Sequence, residues 1–132
     1  MKVTADTNIL VRVTMNDDAL QSELALELLE RAEVVALTLP VLCEWVWVLS
    51  SGYRIAPAQI AHALRILIDS DNVVFDRPAV DAGLAQLDAG GDFADGVIAY
   101  QGSWLGGETF VTFDKKAVTL MTARGVAAQL LK

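Results

Sequence analysis

The sequence predicts an α/β fold, a mostly parallel sheet of four or five strands covered by helices on both faces, in a single domain over residues 1–132. Short β-branched or apolar runs alternate with longer segments of helical spacing, the pattern of a parallel sheet with right-handed crossovers. Acids stand at the changes of element: Asp6 in ADTNILVR, Glu44 in LCEWVWVL, Asp95 in GDFADGVIA and Asp114 in VTFDKKA. No linker, repeat or low-complexity stretch divides the chain.

The first run, KVTA at 2–5, reads as a strand, and Asp6-Thr7 gives a cap-like start to the amphipathic NILVRVTM. Asp17 and Asp18 open a second helix that ends near Arg31; Leu20, Leu24, Leu28 and Leu29 recur at helical spacing, and Glu23, Glu27 and Glu30 take other faces. VVALT at 34–38 reads as a buried strand, and Pro40 suits the first turn of an apolar helix over about 40–50. Ser50-Ser51-Gly52 stops it. Pro57 begins a helix with Ile60, Leu64, Leu67 and Ile68 on one side, and Asp71-Asn72 ends it. VVF at 73–75 is a short strand, Pro78 starts a helix to about Leu87, and Gly90-Gly91 breaks the chain before a helix in DFADGVIAYQGSWLG. ETFVTFD at 108–114 is a fourth strand, KKAVTLMTARG a helix closed by Gly125, and VAAQLL a candidate fifth strand.

The composition is 54% hydrophobic, yet Glu44, Arg54 and Arg65 interrupt the richest stretches, so no bilayer-spanning run of roughly 18 residues is expected. The N-terminal TADTN lacks the apolar core of a secretory signal, which points to a cytoplasmic location. Cys43, the single cysteine, cannot form an internal disulfide and reads as a small core hydrophobe. The net charge of −7 argues against adhesion to nucleic acid by bulk electrostatics; it does not exclude a nuclease, because carboxylates gathered for cations raise the negative count. It also suits a basic protein partner.

Four acids, Asp6, Glu44, Asp95 and Asp114, carry the candidate chemistry, with Asp92 a fifth and auxiliary one. Asp6 and Asp114 each close a strand, where open α/β sheets bind ligands, and would converge if their strands lie side by side. Each is also a natural helix cap. Glu44 is the only charge between Pro40 and Ser50, and an unpaired buried carboxylate is costly; a metal ion, or an ion pair with an arginine such as Arg12, would satisfy it. Asp92 and Asp95 lie three apart at a helix start, on one face, with Asp95 the preferred metal ligand and Asp92 an auxiliary acid. Gly96 would let another backbone or a ligand come close.

Thr112 shares the side of Asp114 and could hydrogen-bond a ligand carboxylate; Lys115 and Lys116 follow as a cation pair or a solvated helix end. Arg12, one turn beyond Asn8, suits a backbone phosphate or an ion pair. Trp45, Trp47 and Trp104 suit packing or a subunit interface better than base stacking, and His62 reads as non-catalytic. With no His or Cys ligand set, hard oxygen donors favour Mg²⁺, with Mn²⁺ a substitute. Two like charges about 4 Å apart repel by roughly 4 kcal/mol at an effective dielectric near 20, so a cation or a proton is needed to hold such a cluster.

In DTNILVR, LCEWVWVL, GDFADGVIA and VTFDKKA, taken in order and spacing over the whole chain, the sequence resembles the PIN-domain family, and within it the VapC-type toxin ribonucleases of type II toxin-antitoxin systems. The resemblance implies a three-layer α/β/α sandwich and Mg²⁺-dependent endonucleolytic cleavage of RNA. It implies Asp6, Glu44, Asp95 and Asp114 as the acidic set, Asp6 and Asp95 foremost as metal ligands, supported by Asn8 and Thr112. It also implies a homodimer and a cognate VapB-type antitoxin that blocks the acidic cleft. Gly96 stands where many relatives carry alanine. A receiver-like phosphoacceptor module is the alternative, although an acid inside a helix, Glu44, fits it poorly; a degenerate binding subunit is disfavoured because no acidic position is lost.

Overall fold

Five strands and seven α-helices follow one another in the computed structural model, which describes residues 1–132 as two units, Met1–Asp76 and Arg77–Lys132. The expected strands are all present and all pair in parallel, as a three-stranded and a two-stranded ladder. No helix is long and apolar enough to cross a membrane.

The first unit runs β1 (Lys2–Thr4), α1 (Thr7–Met15), α2 (Ala19–Arg31), β2 (Val34–Ala36), α3 (Leu39–Trp47), a π-helical turn (Val48–Gly52), α4 (Pro57–Ile68) and β3 (Val73–Val74). The sheet order is β1-β2-β3, with Val3 opposite Val35 and Val35 opposite Val73. Helix starts follow cap chemistry: Asp6 accepts from Thr7 N–H at 2.8 Å and Asp18 from Gln21 N–H at 3.1 Å, while α3 and α4 carry proline in their first turns. Asn16 ends α1 in the left-handed region at φ 51°, which asparagine tolerates better than most residues. Val35, on the central strand, is fully buried with Leu10, Leu42, Leu49, Ile60 and Leu64 around the unit's core. Each such side chain contributes about 1.5–3 kcal/mol by leaving water. Trp45 is buried with them, and its indole N–H donates to Thr14 Oγ1 at 3.2 Å, so the ring enters the core with its polar atom partnered.

The helix expected over 40–50 ends as α at Trp47 and widens into the π-helical turn. Ser50, Ser51 and Gly52 are weak helix formers, and the wider turn keeps Leu49 in the core while Tyr53 N–H closes on Val48 O at 3.1 Å. Tyr53 then donates its hydroxyl to Asp17 Oδ2 at 2.7 Å, and Arg12 pairs with the same carboxylate. That bond holds the Asp17 carboxyl below its ordinary value, with Arg12 acting in the same direction.

The second unit runs α5 (Arg77–Asp88), α6 (Phe93–Trp104), β4 (Phe110–Thr112), α7 (Lys115–Ala123) and β5 (Ala128–Leu130). β4 and β5 pair in parallel, Phe110 opposite Ala128 and Thr112 opposite Leu130, joined by the α7 crossover. Ala79, Val80, Leu87, Phe93, Val97 and Met121 form its core. α5 and α6 approach to backbone contact: a Cβ at Gly96 would lie 2.4 Å from Ala82 O and 2.9 Å from Gly83 Cα, and one at Gly83 would lie 2.6 Å from the Phe93 ring. Gln86 is wholly buried, and its Oε1 accepts from the Arg124 guanidinium at the end of α7.

Candidate active site

The Arg77–Lys132 unit gathers three of the predicted acids by way of two helix starts. Asp92 caps α6, accepting from Ala94 N–H at 3.0 Å, and Asp95 lies in the first turn above it. Asp114 caps α7, its Oδ1 accepting from Lys116 N–H at 2.9 Å and Ala117 N–H at 3.3 Å. The capping and the functional readings of Asp92 and Asp114 are therefore compatible in one geometry: amides hold one carboxylate oxygen, and the group as a whole stays exposed. Asp95 is different. It is half-buried, and loss of solvent raises its carboxyl above the ordinary 3.8, with the charges of Asp92 and then Asp114 pushing the same way.

Thr112 has a role other than the expected one. Its Oγ1 accepts from Asp114 N–H at 3.0 Å, so it fixes the backbone of the acid rather than the carboxylate. Gly96 takes the first of its two expected roles. It is buried against the α5 backbone, which comes close enough that an alanine there meets Ala82 O at a distance no real Cβ tolerates.

Asp6 and Glu44 belong to the first unit. Asp6 is exposed at the end of β1, one oxygen on Thr7 N–H. For Glu44 the expected burial is overturned: α3 buries Leu39, Leu42, Trp45 and Val46 and turns Glu44 and Trp47 outward. The helix is apolar in composition but one-sided in burial, so Glu44 meets no desolvation that demands a partner. Arg12 does not supply one, since it pairs with Asp17. Arg12 instead shares a 450 Å³ groove with Asn8, Gln21 and Leu24. Of the two expected roles, packing or a subunit interface, core packing holds for Trp45 alone; Trp47 and Trp104 are 65% and 77% exposed. Cys43 is only partly buried, and His62 is exposed.

The PIN domain family matches residues 3–120, an extent that takes in all four acidic motifs. This chain is a PIN domain. No curated protein matches it. A PIN domain is a nuclease-type fold, and its members generally use divalent metals such as Mg²⁺; the match lends nothing to the receiver-like alternative. The residues of this PIN domain fit such a cation in kind: all the donors are carboxylate oxygens, and the crowding around Asp95 is what a cation would relieve. No three His, Cys, Asp or Glu side chains are drawn up into a closed ligand set. Among them, Asp92 and Asp114 act on Asp95 through their charges.

Proposed function

We propose that this PIN domain is a Mg²⁺-dependent endoribonuclease of the VapC type, the toxin of a toxin-antitoxin pair, with Mn²⁺ as a substitute metal. The observation that carries the catalytic part is Asp95, a carboxylate destabilised first by partial burial and then by the charges of Asp92 and Asp114, within a nuclease-type fold. Asp95 and Asp114 would hold the metal in the Arg77–Lys132 unit, and the family resemblance adds Asp6 and Glu44 to the acidic set. A bound divalent cation lowers the pKa of water and offsets charge on a phosphodiester. The chain's own residues prepare for that chemistry. The amides of Lys116 and Ala117 fix Asp114, Thr112 fixes its backbone, and burial first, then the charges of Asp92 and Asp114, raises the Asp95 carboxyl.

The partner part of the reading is a homodimer and a VapB-type antitoxin. It is supported by the acidity of the chain and by a 730 Å³ groove in the first unit, lined by Val13, Leu26, Leu29, Ile66 and Leu67 with Glu30 and Asp71 among its polar residues. The catalytic reading is tested by incubating purified protein with RNA. Cleavage should require Mg²⁺, stop with EDTA, and fall by about 100-fold or more in Asp6→Asn and Asp95→Asn. Equal cleavage by the wild type and both variants would sink it.

A further inference from the structure

Charge is segregated along this acidic chain. Residues 109–132 hold four of its ten cations, Lys115, Lys116, Arg124 and Lys132, and only one of its seventeen acids, Asp114. The remainder is strongly negative and would repel a polyanion, so any nucleic-acid contact has one favourable place to begin.

The same segment carries an uncovered sheet face. α7 packs on one side of β4 and β5, where Phe110, Thr112, Ala128 and Leu130 are half-buried. On the other side Val111 is 52% exposed opposite Gln129, and immediately beyond the strand ends, beside this face, Phe113 and Leu131 are 77% and 45% exposed. Phe113 immediately precedes Asp114. Lys115 and Lys116 immediately follow it, exposed and in no ion pair. Cations in the first turn of a helix oppose the helix dipole, so this pair is not there to stabilise α7.

We infer that the face formed by Phe113, Val111, Leu131 and Gln129, with Lys115 and Lys116 beside it, is a single-stranded RNA platform that feeds the phosphodiester to Asp114. This rests on the ribonuclease reading and names the surface that reading lacks. Phe113 stacks a base, as exposed aromatics on sheet faces do for single strands, Gln129 offers an amide to a base edge, and the lysines meet backbone phosphates. The cationic excess of residues 109–132 suits a polyanion as the occupant.

The test is fluorescence-anisotropy binding of a labelled oligouridylate to the full chain carrying Asp95→Asn, which prevents turnover, with cleavage by the otherwise wild-type chain followed in parallel. Phe113→Ala should weaken binding about 5- to 100-fold and Phe113→Trp should restore it. Lys115→Ala with Lys116→Ala should reduce the salt dependence of log K by roughly 1.4, at about 0.7 per phosphate on a single strand. These positions are exposed, so circular dichroism should be unchanged. Cleavage-competent protein whose binding ignores all three substitutions overturns the platform and leaves the nuclease standing; absence of RNA binding with absence of cleavage overturns both. A change in sedimentation with RNA affinity unaltered assigns the face to a second copy and likewise overturns the platform.

Discussion

The two units of this PIN domain treat their acids in opposite ways. In Met1–Asp76, Asp6 and Glu44 are exposed carboxylates, the one a helix cap and the other on the outer side of α3. In Arg77–Lys132, two helix starts bring Asp92, Asp95 and Asp114 within electrostatic reach, and the one that is half-buried bears the cost. Solvation separates them. An acid left in water carries no sign of its purpose in its own energetics, whereas an acid pressed by neighbours does.

The largest effect that can break this contrast is mechanical. Gly96→Ala forces α5 from α6 beside Asp95 and should cost about 2–3 kcal/mol, read as a lowered urea midpoint with an unchanged slope. A variant as stable as wild type would mean the helices part freely. Next is Asp95→Asn, which should stabilise the metal-free protein at neutral pH, read as a raised urea midpoint, because it removes a carboxylate the fold disfavours. The sign follows from linkage. Since folding raises the Asp95 carboxyl above 3.8, the folded state binds that proton more tightly, and stability is lost as pH rises through the raised value. The advantage of the asparagine should therefore vanish as pH falls towards 3.8 and below. Glu44→Gln, at an exposed position, supplies the contrast, with a stability change within about 0.5 kcal/mol. A larger loss would mean that Glu44 is partnered after all. Smallest is Asp92→Asn, which should shift the acid limb of the cleavage profile to lower pH by relieving one of the charges on Asp95.

Much of this arrangement was legible in the residues. Pro40, Pro57, Asp6, Asp18, Asp92 and Asp114 mark helix starts because cap chemistry is local, and all six stand where the structure uses them. The widening of α3 into a π-helical turn was not legible, because Ser50-Ser51-Gly52 reads equally as a stop. Glu44 misled for a related reason. Composition reported an apolar helix, but burial is decided by which side faces the core, and Trp47 lies outside with Glu44. Gly96 carried a real signal, a helix-weakening residue kept for close approach, but what approaches is the α5 backbone. The crowding of Asp95 by Asp114, nineteen positions away, depends on how α6 and α7 are set in space and has no local signature.

The most direct measurement is the titration of the Asp95 side-chain carboxyl by carbon-detected NMR, with and without Mg²⁺. The account predicts a midpoint above 3.8 in the metal-free protein that moves lower when Mg²⁺ is added. An ordinary midpoint that Mg²⁺ leaves in place would contradict it.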